Sequence, residues 1–139
     1  MPLARVTMGA ISPPIEQYRA AAALRAALRR FSQASEHALA LYGLTSERYE
    51  LLLAIKDAEG GGEPATVSEL ATALGVAQSS VTQLVRRAEN AGLLRREVSI
   101  IDARVRYLRL TAQGERQLAS AVAALHGERT RLAEIVSQL

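Results

Sequence analysis

A chain of 139 residues, 49% of them hydrophobic, is long enough for one domain with a modest core and too short for two well-packed ones. It has no cysteine and only two histidines, far apart, which excludes disulfides, thiolate metal ligation and a cysteine-based peroxide sensor and leaves no zinc site. The net charge is only +3, but between Val76 and Thr111 seven arginines stand against three acids, so the basic excess is local, as a phosphate-binding face requires.

In chain order, Met1 to Gly9 reads as loosely ordered, and Ser12-Pro13-Pro14 as a helix start with Ser12 as the cap. From Ile15 to about Leu41 the sequence is alanine-rich and helical, with Leu24, Leu28, Phe31, Ser35, Ala38 and Tyr42 on one stripe. So long a helix with a stripe of small residues suits packing against a partner chain as well as its own body. Gly43 interrupts it. Thr45 caps a second helix carrying Tyr49, Leu51, Leu52 and Ile55, which Gly60-Gly61-Gly62 ends. That glycine run lacks the lysine and hydroxyl of a phosphate loop, so it reads as a surface turn.

Thr66-Val67-Ser68-Glu69 is a capping box. It opens a short helix with Leu70, Ala71 and Leu74 inward, stopped by Gly75, where a left-handed residue permits a sharp reversal. Val76 is expected to anchor this turn in the core. The next helix spans about Gln78 to Ala91, with Val81, Leu84, Val85 and Ala88 inward and Leu93 and Leu94 dropping back onto the core. Alternating residues over Arg96–Ile101 and Arg104–Leu110 predict a two-stranded hairpin, with Val98 and Ile100 sharing one face of its first strand. Thr111 caps a last helix running to Leu139, loosened near Gly127. The fold class is therefore mostly α with a small β-hairpin. It divides into an arm and helix over 1–42, a helix-turn-helix unit with its hairpin over 43–111, and a terminal helix over 112–139.

The helix after Val76 has the chemistry of a reading helix. Ser79, Thr82, Gln83 and Arg86 share its outer face, and Ser80 and Arg87 flank it. Hydroxyls reach phosphates or base edges, Gln83 suits adenine, and Arg86 suits guanine or a phosphate. Any amphipathic surface helix turns polar residues outward, so no one of these residues is decisive. The weight lies in the set and in its continuation into a basic hairpin. Ala77 at the cap position offers no side-chain acceptor, leaving the first amide groups to Gln78 or a phosphate oxygen. Arg104 and Arg106 sit at or just past the hairpin tip. Asp102 is spaced to pair with Arg104 and orient it toward the backbone or minor groove. Arg109 reads as an ordinary solvated strand residue.

No catalytic or metal-binding set emerges. His37 and His126 read as surface or interface residues, the acids are dispersed, and nothing fixes a base beside a nucleophile. An enzyme is not expected, nor a cofactor. Neither a signal peptide nor a membrane span is legible, so the chain is expected in the cytoplasm.

These segments together resemble the MarR family of winged helix-turn-helix regulators. The resemblance runs from Gly43-Leu44-Thr45 to Thr111-Ala112-Gln113-Gly114. It rests on Val67-Ser68-Glu69-Leu70-Ala71, the turn Leu74-Gly75-Val76, Val81-Thr82-Gln83-Leu84-Val85-Arg86-Arg87, Glu89-Asn90-Ala91-Gly92-Leu93-Leu94-Arg95-Arg96, Asp102-x-Arg104 and Leu110-Thr111-x-x-Gly114. It implies a winged fold whose long terminal helices form a dimerisation region. It also implies a homodimer on an inverted repeat in double-stranded DNA, with reading helices in major grooves about 34–36 Å apart and wings at the minor grooves. Position by position, it assigns Ser79, Ser80, Thr82, Gln83, Arg86 and Arg87 to the reading helix and Asp102 and Arg104 to the wing. It further implies a repressor released by a small aromatic or phenolic effector, with Tyr42 and Tyr49 as candidate pocket residues. Two features depart from the family pattern. Ser99-Ile100-Ile101 replaces the usual acid and proline, implying a shorter or less polar tip, and the dimer would rest on Ile15–Leu41 and Gln113–Leu139 alone. A winged-helix protein–protein adaptor is the alternative, and it predicts a neutral reading face.

Overall fold

The computed structural model describes residues 12–139; the Met1–Gly9 arm lies outside the described residues. The elements are α1 (Ile15–Ala40), α2 (Ser46–Gly60), α3 (Val67–Leu74), α4 (Gln78–Asn90), β1 (Leu94–Val98), β2 (Arg106–Leu110), α5 (Ala112–Ala124) and α6 (His126–Ser137). They fall into two compact units. One is Ser35–His126; the other combines the described residues up to Ala34 with Gly127–Leu139.

The Ser35–His126 unit has one core. Leu39 and Leu44 join Leu51, Leu52 and Ile55 of α2, Leu70 and Ala71 of α3, and Val81, Val85 and Ala88 of α4. Leu93, Leu94, Leu108, Leu110, Leu118, Ala121 and Leu125 complete it. The residues expected inward on α3 and α4 all pack on this core, Leu74 and Leu84 only partly buried. On α1 the buried positions are Ala27, Ser35 and Leu39, whereas Leu28 and Tyr42 of the expected stripe are partly exposed.

Local chemistry sets most boundaries. Thr45 and Thr111 cap α2 and α5 through the amides of Arg48 and Gly114. The Thr66–Glu69 capping box is complete: Thr66 N donates to Glu69 Oε1 at 3.0 Å and Glu69 N to Thr66 Oγ1 at 3.3 Å. Gly75 closes α3 with φ 68°, a conformation that costs a Cβ-bearing residue steric energy. Gly114 is required for a different reason. The first turn of α5 lies so close to β1's approach that a Cβ there would sit 2.0 Å from Leu93 O.

Four local details differ from expectation. Helix α1 starts at Ile15, so Ser12 is not its cap; a residue preceding proline disfavours helical geometry, and Ser12 and Pro13 both precede one. Val76 is 44% exposed, and its backbone N–H, bonded to Ala71 O at 3.1 Å, anchors the turn in place of its side chain. The hairpin ladder runs only from Leu94↔Leu110 to Val98↔Arg106, because side chains beyond it capture the backbone amides. Val98 and Ile100, the pair read as sharing one face, are both exposed, and Ser99 between them is buried. The terminal helix is divided at Leu125, two residues before Gly127. A single bond from Leu108 N to Ala65 O (2.9 Å) adds the segment before α3 to the free edge of β2.

Candidate nucleic-acid interface

Helix α4 buries Val81, Val85 and Ala88, spaced so that one narrow stripe meets the core. The opposite side carries Ser79, Ser80, Gln83, Arg86 and Arg87, all exposed. None of these five side chains has a hydrogen bond or ion pair to another described residue. Thr82 differs: it is half-buried, and its hydroxyl donates to Gln78 O at 2.9 Å. That use of its proton leaves only the oxygen's acceptor capacity for a ligand. Ala77 caps α4 without a side-chain bond, as expected.

The hairpin follows α4 directly and is tied to it. Arg96 Nε donates to Glu89 Oε1 at 3.0 Å, joining β1 to the last turn of α4. Beyond the ladder the tip is a hydrogen-bonded turn. Ser99 N donates to Val105 O and Val105 N to Asp102 O, each at 3.0 Å. Ser99 Oγ accepts from the amides of Ile101 and Asp102 at 3.2 Å. Asp102 grips Arg104 at three points: Oδ1 accepts from Arg104 N (3.0 Å) and Nε (3.2 Å), and Oδ2 from Nη2 (3.2 Å). The Arg104 side chain nevertheless stays 91% exposed. These bonds, the side-chain guanidinium first, hold the Asp102 carboxyl below the usual carboxylate range. Arg106 donates to Ala103 O and meets no carboxylate among the described residues.

The seven arginines of this segment therefore separate into two groups. Arg95 and Arg109, directly opposite in the ladder, share Glu97, each at 3.2 Å. Their two guanidinium groups, Arg109 foremost, lower the Glu97 carboxyl. Arg109 is half-buried and also reaches Glu59 at 3.8 Å, so it is a paired framework residue rather than a solvated one. Arg96 is held by Glu89. The remaining four are all exposed: Arg104 pairs only with its neighbour Asp102, and Arg86, Arg87 and Arg106 meet no carboxylate among the described residues. Sequence counting assigned those four to the interface but did not find the partners of the other three. Glu59 and Glu89 are brought to them only by the fold.

Tyr49 is half-buried against the core, and Tyr42 is partly exposed with its carbonyl accepting from Gln117 Nε2 at 3.0 Å. Among the described residues, no group of three His, Cys, Asp or Glu is placed to hold a metal ion. No helix is long and apolar enough to cross a membrane.

This arrangement, a capped helix, a glycine reversal, an outward polar helix and an arginine-tipped hairpin, is a winged helix-turn-helix. Residues 42–104 match a family model described as the MarR family. Transcriptional regulator HosA of Escherichia coli O127:H6 is 34% identical over 79 residues, 57% of this chain. The chain spans 56% of the length of that curated relative. The structure of the M. tuberculosis transcriptional regulator MOSR in complex with DNA is 31% identical, with TM-score 0.63, covering 79% of this chain and 77% of that one. An S. aureus MepR–DNA complex shares the fold at TM-score 0.68 with 24% identity, over 83% of this chain and 80% of that one. The chain belongs to the MarR family of winged helix-turn-helix transcriptional regulators, proteins that act by binding rather than by catalysis.

Proposed function

We propose that the protein is a sequence-specific DNA-binding regulator that acts as a homodimer on an inverted repeat. The observation that carries this reading is the set of four outward arginines, Arg86, Arg87, Arg104 and Arg106. The fold pairs Arg95, Arg96 and Arg109 with Glu97, Glu89 and Glu59, and it leaves these four exposed, Arg104 while paired with Asp102. In this reading α4 enters the major groove with Ser79, Ser80, Gln83 and Arg86 toward base edges and phosphates, and Thr82 and Arg87 at its borders. Arg104, pre-aimed by Asp102, meets the adjacent backbone with Arg106. MOSR and MepR, whose folds this chain shares, are described in complexes with DNA, which supports the same use of the unit here. An adaptor that has lost DNA recognition predicts a neutral face in place of these cations.

The regulatory half of the proposal is repression relieved by a small aromatic or phenolic effector, with Tyr42 and Tyr49 as its candidate contacts. Selection of binding sites from a random duplex pool tests the core of the reading. Recovery of an inverted repeat is expected, with affinity that falls steeply as salt rises. Recovery of no sequence preference overturns it. A double Arg86→Ala/Arg104→Ala variant is expected to lose binding while keeping its helicity; unchanged binding removes both residues from the interface.

A further inference from the structure

The hairpin tip presents two large apolar side chains that the fold leaves in water. Ile100 is fully exposed and Ile101 is 97% exposed. Isolated surface hydrophobics are ordinary. Two adjacent isoleucines at the extremity of a turn, where small polar residues are the usual choice, are not explained by folding.

The turn that carries them is built, not slack. Ser99 Oγ fixes the amide of Ile101 and the one after it, and Asp102 fixes Arg104 beside them. The result is an apolar knob flanked by the outward charges of Arg104 and Arg106. A duplex minor groove has that complement: phosphates on both rims and base steps that an apolar side chain can wedge apart. The hairpin is also continuous with the proposed interface, because Arg96–Glu89 ties β1 to the end of α4.

We infer that Ile100 and Ile101 form a wedge that enters the minor groove beside each half-site and partly unstacks one base step. The wing then reads DNA deformability rather than base edges. Pyrimidine–purine steps, which unstack most readily, are the preferred targets. The inference rests on the DNA-binding reading above. Because burying the isoleucines is largely offset by unstacking the step, the net gain in affinity is modest.

The test uses the full chain and a duplex carrying the selected inverted repeat, with 2-aminopurine placed in turn at the steps flanking each half-site. Wild-type protein is expected to raise the fluorescence at one flanking step on each side. Ile100→Ser/Ile101→Ser is expected to abolish that rise and to weaken binding about tenfold, while Ile100→Val/Ile101→Val retains both. Both substituted side chains lie in solvent, so the core is untouched. Wild-type binding with no fluorescence change, or full affinity and an unchanged signal in the double-serine variant, overturns the wedge and leaves the DNA-binding reading standing. Full DNA affinity in that variant, with wild-type protein sedimenting on anionic phospholipid vesicles, assigns the knob to a lipid surface and overturns it also. Wild-type protein that binds no duplex overturns the underlying reading instead.

Discussion

Asp102 organises the wing with one carboxylate: it receives the Arg104 amide and two edges of its guanidinium, so the charge aimed at DNA is positioned before DNA arrives. Its pKa is depressed in the fold by these bonds. A depressed carboxyl contributes order that is fully present above its unfolded value and is lost as pH falls through the folded one. The wing should therefore stay ordered at neutral pH and loosen only in acid below the ordinary aspartate range. Carboxyl NMR titration should place Asp102 low in the wild type and return it toward the usual value in Arg104→Ala; an unchanged midpoint would show that the pair does not persist in solution. Gly114 is a steric counterpart. A methyl group 2.0 Å from Leu93 O meets backbone, which cannot rotate away, so Gly114→Ala should destabilise the fold by about 3 kcal/mol. Urea unfolding monitored by circular dichroism measures this, and a midpoint equal to wild type would mean that α5 can shift freely.

At the scale of elements, the most legible features were those written within a few residues. The Thr66–Glu69 box, the Gly75 reversal and the Thr45 and Thr111 caps depend on contacts three to five positions apart, and each stands where the sequence places it. The strand ends were less legible, because Ser99 and Asp102 compete with the ladder for amides and end it at Val98↔Arg106. The division of the arginines was not legible at all: Glu59 and Glu89 meet Arg109 and Arg96 only after α2, α4 and the hairpin have packed. Helix α4 carries the clearest conflict between folding and proposed function. Its cap, Ala77, makes no side-chain bond, although a Ser or Asp there would stabilise it by about 1 kcal/mol. An uncapped N-terminus suits a phosphate oxygen. Ala77→Asp should accordingly raise the thermal midpoint and weaken DNA binding, since its carboxylate would occupy the amides and repel the backbone. A variant that gains stability and keeps full affinity would separate this helix end from the duplex.

For the molecule as a whole, the sequence made the order of elements readable but not which faces a single chain leaves uncovered. The unit that holds most of α1 together with Gly127–Leu139 exposes Ile15, Tyr18, Val136 and Leu139. Ile15 and Tyr18 are three apart on α1, hence on one face. Alanine-rich stretches blur helical periodicity, which is why the predicted stripe of Leu24, Leu28 and Phe31 missed Ala27 as the buried position. Under the proposed dimer, apolar residues left in water at both ends of the chain are candidates for contact with a second copy. Two reading helices joined in one particle also bind two half-sites far more tightly than either binds one, because the second contact is made at high effective concentration. Sedimentation equilibrium at micromolar concentration should give a dimer for the wild type and a monomer for Ile15→Glu/Tyr18→Glu. The variant should lose about a hundredfold in affinity for the full inverted repeat yet bind an isolated half-site as the wild type does, because its winged unit is unaltered. A wild-type monomer, or a variant that remains dimeric, would place the subunit contact elsewhere; equal loss on the half-site and the full repeat would mean that the substitutions had damaged the reading unit itself.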